Sequence, residues 1–217
     1  MSEHKPRKPM FDGADFLSGD LTSDSLGLAR FYAWCWQAPE AERVRSLIPR
    51  LCHADPAQPL LILELLPDAA PLWRRYQQSG PEAFPTGAAA QVGRALACVH
   101  DAFRGLDPVG DPALAWLGRA LPWSFTLHRP RLETLAGMSA ANREMVRQMQ
   151  ARPEVFERLD GLRSLWRAET VIHGDVKMDN CLTIPNGRGG ERLLLVDWEL
   201  VQVGDPAWDL AGALNDF

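Results

Sequence analysis

Lysine is nearly absent from this 217-residue chain: Lys5, Lys8 and Lys177 are its only three, and arginine carries the rest of the positive charge. The bias matches the codon usage of a GC-rich genome. It also restricts which side chain can serve as a phosphate-binding lysine. Positive charge is in deficit overall, with a formal net charge of −5 and a pI near 5.5. A general nucleic-acid binder, which presents a basic face, is therefore not expected. No apolar run approaches the roughly 18 residues a membrane-spanning helix needs. The charged start "MSEHKPRKPMF" has no apolar stretch behind it, so no secretory signal is read. Four cysteines, Cys35, Cys52, Cys98 and Cys181, are scattered without a CxxC pair. Reduced, buried thiols in a cytoplasmic protein are the expectation. There is no internal repeat and no low-complexity tract.

What is present has clear periodicity in several places. Residues 1 to about 24 are polar and rich in turn formers, with one short strand expected near "ADFL". "SLGLARFYAWCWQ" places Leu28, Phe31, Tyr32, Cys35 and Trp36 at helical spacing. "PRLCHAD" and "LLILELL" read as strands around an Asp55–Pro56 turn, after which "PDAAPL" breaks the pattern. Val92, Leu96, Val99 and Phe103 mark a helix over 86–104. The stretch to about residue 131 is irregular, and its basic part at 127–135 reads as a surface loop. "SAANREMVRQMQ" starts a helix with Ser139 as N-cap, and a further helix follows Pro153. A short strand "TVIH" comes next. A hairpin then has arms "NCLTI" and "RLLLVDW" around the turn "PNGRGGE". In the closing "GDPAWDLAGALNDF", Asp205 suits an N-cap and Pro206 the first helical position. That helical pattern is still running at Phe217, so further sequence is expected beyond it.

The chemistry lies between Val171 and Glu199. Moving a phosphoryl group to a hydroxyl needs Mg²⁺ held against the phosphates and a carboxylate that takes the hydroxyl proton. Such a metal wants hard oxygen ligands from few residues. "HGDVKMDN" offers Asp175 as base and Asn180 as ligand, and "VDWE" offers Asp197 as second ligand. The hairpin should fold Asp197 back beside the loop. This is the kinase order of a catalytic Asp, an Asn five residues on, and a metal-binding Asp after a strand. Taken singly, His173 reads as a satisfied core histidine, Asp179 and Lys177 as solvated, and Trp34, Trp36, Trp116, Trp123 and Trp198 as core residues. Lys177 is also within reach of a phosphate in a loop of this kind. Glu199 is divided between a supporting or metal-contact role and a solvated one.

Together "HGDVKMDN", "LLLVDWE" and "GDPAWDLA" resemble the aminoglycoside phosphotransferase and choline kinase-like family over residues 60–217. The resemblance implies an α+β, protein-kinase-like fold of two lobes. A reduced N-terminal lobe would span 1–66, and a mainly helical C-terminal lobe 67–217. It implies ATP or GTP with Mg²⁺ as cofactors, Asp175 as catalytic base, and Asn180 with Asp197 on the metal. His173, Asp205 and Asp209 would support the site. "LLILELLP" resembles the hinge, so the backbone at Glu64, Leu65 and Leu66 would meet the nucleotide base. The acceptor would be a hydroxyl of a small molecule such as an aminoglycoside or amino alcohol. "FYAWCW", "LHRP" and "DWELVQVGDPAWD" resemble phosphotransferase-like proteins of ribosomally made peptide pathways, which adds a peptide Ser or Thr.

The chain departs from that pattern near its start. No Gly-rich phosphate loop precedes the first helix. Leu28 stands where a helix glutamate is expected, and Lys8 (with Lys5) is the only candidate for the paired lysine. A pseudokinase that binds a nucleotide or a partner protein is therefore the competing reading. A metal hydrolase is a distant third.

Overall fold

The computed structural model describes residues 21–55, 60–83, 86–106, 114–126, 128–129, 137–186 and 190–216. Lys5, Lys8 and the strand expected near "ADFL" lie outside them, as does most of the basic stretch at 127–135. Among the described residues no helix is long and apolar enough to cross a membrane. The described chain divides into two compact units, residues 22–119 with 166–217, and residues 120–165.

In the larger unit, helix α1 (Leu21–Gln37) buries Phe31, Tyr32 and Cys35 on one face. It stops just before Pro39, because the residue ahead of a proline is pushed out of the helical region. The Arg45 guanidinium then satisfies two of the carbonyls left over there, with Nε on the Cys35 oxygen and Nη2 on that of Ala38, both 2.9 Å. Strands β1 (Leu51–Asp55) and β2 (Leu60–Leu63) pair antiparallel from Asp55↔Leu60 to Leu51↔Leu63. The strand expected to run through Leu66 ends at Leu63. Beyond that point Glu64 closes the pair on both sides, its N–H on the Arg50 oxygen and its carboxylate under the Arg50 N–H.

Strand β3 (Ala70–Pro71) runs directly into helix α2 (Leu72–Ala83), where only a break in pattern is legible. Helix α3 (Thr86–Ala102) follows the expected apolar stripe, with Val92, Leu96, Val99 and then Phe103 buried. Strand β4 (Thr170–Ile172) is wholly buried. The expected hairpin is present as β5 (Cys181–Pro185) and β6 (Glu191–Leu195), in register from Cys181↔Leu195 to Pro185↔Glu191. Strand β3 adds to β5, giving the order β3-β5-β6. Strand β7 (Gln202–Gly204) was not legible in advance. It pairs with β4, and helix α6 (Pro206–Asp216) follows. Phe31 of α1 stacks on Trp198 at 4.5 Å between ring centroids, and Trp198 lies against His173 at 4.4 Å. The core thus reaches the residues under the candidate site.

In the smaller unit, helices α4 (Ala140–Gln150) and α5 (Pro153–Leu165) flank Pro153 as the sequence suggests. Ser139 is the N-cap, its hydroxyl accepting from the Asn142 N–H at 3.2 Å. Ser139→Ala is expected to destabilise by about 1 kcal/mol, lowering the melting temperature by roughly 2–4 °C. An unchanged thermal midpoint would show that the cap contributes nothing.

Candidate active site

The site is built where β4 ends. His173 is fully buried, and Gly174 follows with a φ of +87°. A Cβ on Gly174 would stand 2.4 Å from the Leu200 oxygen, so both backbone conformation and space require glycine there. A 3-10 turn at Met178–Asn180 then leads into β5.

Within this loop the side chains converge on one carboxylate. Asn180 Nδ2 donates to the Asp175 backbone oxygen at 2.9 Å and to its Oδ2 at 3.1 Å. The amide nitrogen is thereby used, which leaves the amide oxygen as the atom that could hold a cation. Lys177 Nζ also donates to Asp175 Oδ2, at 2.5 Å. Lys177 is thus both partly solvated, with 40% of its side chain exposed, and bonded to Asp175, whereas Asp179 is exposed. Burial works against the Lys177 ammonium, but the bonded Asp175 and the nearby charges of Asp197 and Asp179 outweigh it and raise its pKa above the ordinary lysine value.

Asp197 arrives at the same place through the hairpin. The Val196 N–H donates to the Asn180 backbone oxygen at 2.9 Å, so Asp197 follows directly on a residue bonded to Asn180. Asp197 has φ 66° and ψ 55°, and is the one non-glycine residue with positive φ among those described. Such backbone is uncommon outside glycine and is concentrated at functional sites. Trp198, next in sequence, is fully buried and donates its ring N–H to the Leu195 oxygen at 3.0 Å.

His173 joins the two halves. Its Nδ1 accepts from the Asp175 N–H at 3.3 Å, and its Nε2 bonds the Val196 oxygen at 2.9 Å. An acceptor at Nδ1 and a donor at Nε2 define a neutral ring. Burial pushes the His173 pKa down in the same sense, against the opposing pull of Asp209, the Val196 carbonyl, Asp175 and Asp197. Both nitrogens are occupied, so the ring braces the loop and has none left for proton transfer.

Helix α6 holds the loop from below. Asp209, with no exposed surface, accepts from the His173 N–H at 2.8 Å on Oδ2 and from the Gly174 N–H at 2.9 Å on Oδ1. The Trp208 ring N–H donates to the Gly174 oxygen at 2.9 Å, and Asp216 Oδ2 accepts from the Met178 N–H at 2.7 Å. A Cβ on Gly212 would lie 2.7 Å from the Val176 oxygen, so helix and loop pack at backbone distance. Asp205, expected beside Asp209 as a support, bonds elsewhere. Its carboxylate takes the Arg167 and Ala207 N–H groups, which caps α6 and ties it to the chain entering β4. Sequence reasoning missed His100, Trp208, Gly212 and Asp216. Only His100 carried a signal, as a polar residue one turn past Leu96 on a buried helix face.

The expected hinge segment follows directly on β2. Leu65 is 87% exposed and the Glu64 carboxylate is committed to Arg50. Leu66 gives its carbonyl to the Ala69 N–H, while the Glu64 carbonyl and the Leu66 N–H have no backbone partner among the described residues. Those two groups form one acceptor and one donor two residues apart. Among the described residues no three of His, Cys, Asp and Glu gather as a metal cluster. The hard-oxygen set at hand is the Asn180 amide and the Asp197 carboxylate, a pair whose chemistry fits Mg²⁺.

No curated protein matches the chain by sequence. Among solved structures, the choline kinase LicA from Streptococcus pneumoniae is similar with a TM-score of 0.53 at 19% identity, over 89% of this chain and 59% of that one. A choline/ethanolamine kinase family protein from Mesorhizobium loti aligns at 20% identity with a TM-score of 0.49, over 89% and 55% respectively. The chain thus spans somewhat over half the length of these structures. At such identities the likeness is one of fold, protein-kinase-like with mixed helices and small sheets, as the motifs implied. The model of the phosphotransferase enzyme family matches residues 28–217, which includes the whole loop, the hairpin and α6. On that match the chain belongs to the phosphotransferase enzyme family.

Proposed function

We propose that the chain carries the nucleotide and phosphoryl-transfer site of an ATP- or GTP-dependent kinase acting on a hydroxyl. The observation that carries this reading is the double bond set from Asn180 Nδ2 to Asp175, which orients a base and a metal ligand with one amide. Asn180 and Asp197 are the residues that would hold Mg²⁺. The bound ion would supply charge neutralisation at the phosphate oxygens. Asp175 orients the acceptor hydroxyl and receives its proton. The acceptor oxygen bonds to the γ-phosphorus as the bond to the bridging oxygen breaks, and the nucleoside diphosphate leaves. Lys177 sits where its ammonium can pass from Asp175 to a transferring phosphoryl group. The backbone of Glu64, Leu65 and Leu66 would pair with the base edge, through the carbonyl and N–H described above.

The family match supports a small-molecule acceptor; an aminoglycoside or amino alcohol is the type carried by the motif resemblance, with a peptide Ser or Thr as the other acceptor class. The four free cysteines fit a cytoplasmic protein. A second reading, a pseudokinase that binds nucleotide without turnover, is favoured by one observation: the Asp175 carboxylate is engaged by Lys177. Turnover separates the two.

Calorimetry of ATP binding, with and without Mg²⁺, tests the metal pair. The parent should bind more tightly with Mg²⁺. Asp197→Ala should lose that gain, about tenfold or more in Kd, which is about 1.4 kcal/mol or more. The same Mg²⁺ dependence in both proteins would remove Asp197 from the metal.

A further inference from the structure

His100 is placed by α3 at its last turn, far in sequence from every motif of the site. Its side chain is nonetheless part of the loop's support. The ring Nε2 lies 2.9 Å from Asp209 Oδ2, the same oxygen that accepts the His173 N–H. The His100 backbone oxygen accepts from Thr170 Oγ1 at 2.8 Å, so the end of α3 is tied to β4 as well as to α6. Both His100 and Asp209 are buried. A carboxylate with no exposed surface is costly unless donors surround it. Here there are three: the ring N–H of His100 and the backbone N–H groups of His173 and Gly174. The two backbone donors sit on consecutive residues, so the carboxylate must keep one orientation to serve both. His100 adds a third donor, from a separate helix, on the oxygen that serves His173.

We infer that His100 is a positioning residue for phosphoryl transfer, acting through Asp209 on the His173–Gly174 turn and so on Asp175. The path is continuous. Asp209 holds the His173 backbone, and the His173 ring holds the Asp175 N–H and the Val196 carbonyl beside Asp197. Loss of the His100 bond would let the turn shift without removing any group that touches substrate. The expected consequence is a turnover effect with nucleotide affinity kept, because misplacement near a reacting group is felt in the chemical step. This inference rests on the phosphotransfer reading above.

The test compares H100Q with H100N in the full chain. The glutamine nitrogen lies as many bonds from Cα as Nε2 does and can reach Asp209, while that of asparagine falls short. Turnover is read as phosphate released from Mg·ATP, and loop protection as amide hydrogen exchange at His173 and Gly174. H100N should lower kcat by about tenfold, leave KM for ATP within about twofold, and speed exchange at both amides by a similar factor. H100Q should stay close to the parent in all three. A parent-like H100N, or an H100Q as impaired as H100N, would overturn the inference. If the parent shows no turnover, the proposed function falls and exchange alone decides the role of His100. Should H100N not fold, nitrogen NMR of the parent decides: an Nε2 proton protected from solvent upholds the bond to Asp209, and an unprotonated Nε2 overturns it.

Discussion

Asp175→Ala is expected to reduce turnover by roughly 10²–10⁴-fold while ATP affinity stays within a few-fold of the parent. The drop corresponds to about 3–5 kcal/mol of transition-state stabilisation. The separation of the two effects follows from the geometry around Asn180. Removing the carboxylate deletes the Nδ2 to Oδ2 bond, but the bond from Nδ2 to the Asp175 backbone oxygen remains. Asn180 should therefore keep its orientation toward a cation. Lys177 loses its partner, yet with a side chain 40% exposed it can be solvated instead. Asp175→Asn keeps the shape without the base and should fail nearly as badly. Turnover within a few-fold of the parent for either variant would eliminate Asp175 as the proton acceptor. A parent that binds Mg·ATP and never turns over would support the pseudokinase reading.

Asp209→Ala is expected to destabilise the chain by about 3–5 kcal/mol, the cost of several buried donors left without a partner. The substitution strands three donors in a dry setting: the N–H groups of His173 and Gly174 and the ring N–H of His100. Each unsatisfied donor costs about 1–3 kcal/mol, partly offset because the carboxylate no longer has to be desolvated. A domain with roughly 5–15 kcal/mol of total stability would lose much of its folded margin. Chemical denaturation is the measurement, with soluble yield as a coarse companion. A loss under about 1 kcal/mol would mean that water or a neighbouring group replaces the carboxylate.

The parts of the fold that could be read in advance are those specified locally. The α3 stripe of Val92, Leu96, Val99 and Phe103 declares a helix by spacing, and Ser139 declares the start of α4 by its hydroxyl. The β5–β6 hairpin is announced by turn formers between two apolar arms. Asp175 and Asn180 are five residues apart, so one short turn suffices to make them meet. Other elements depend on distant partners. Strand β7 is three residues long and is a strand only because β4 lies alongside it. Helix α2 starts at the end of "PDAAPL", which reads as a break, and Leu72 at its start is buried all the same. Asp205 has the look of a site anchor beside Asp209. Its carboxylate serves Arg167 and Ala207 instead, which only the path of the chain into β4 could show.

Residue types and short spacings were enough to name the chemistry: an acid, an amide and a second acid carried back by a hairpin, all bearing hard oxygens. They were also enough to place the chain among phosphotransferases. What folding alone settled is how the loop is held. His100 meets Asp209 across 109 residues, and Lys177 bonds Asp175 while keeping part of its side chain in water. The reason is that every donor and acceptor removed from water must find a partner. Spacing reveals which groups need one, but only the packed chain decides which distant group supplies it.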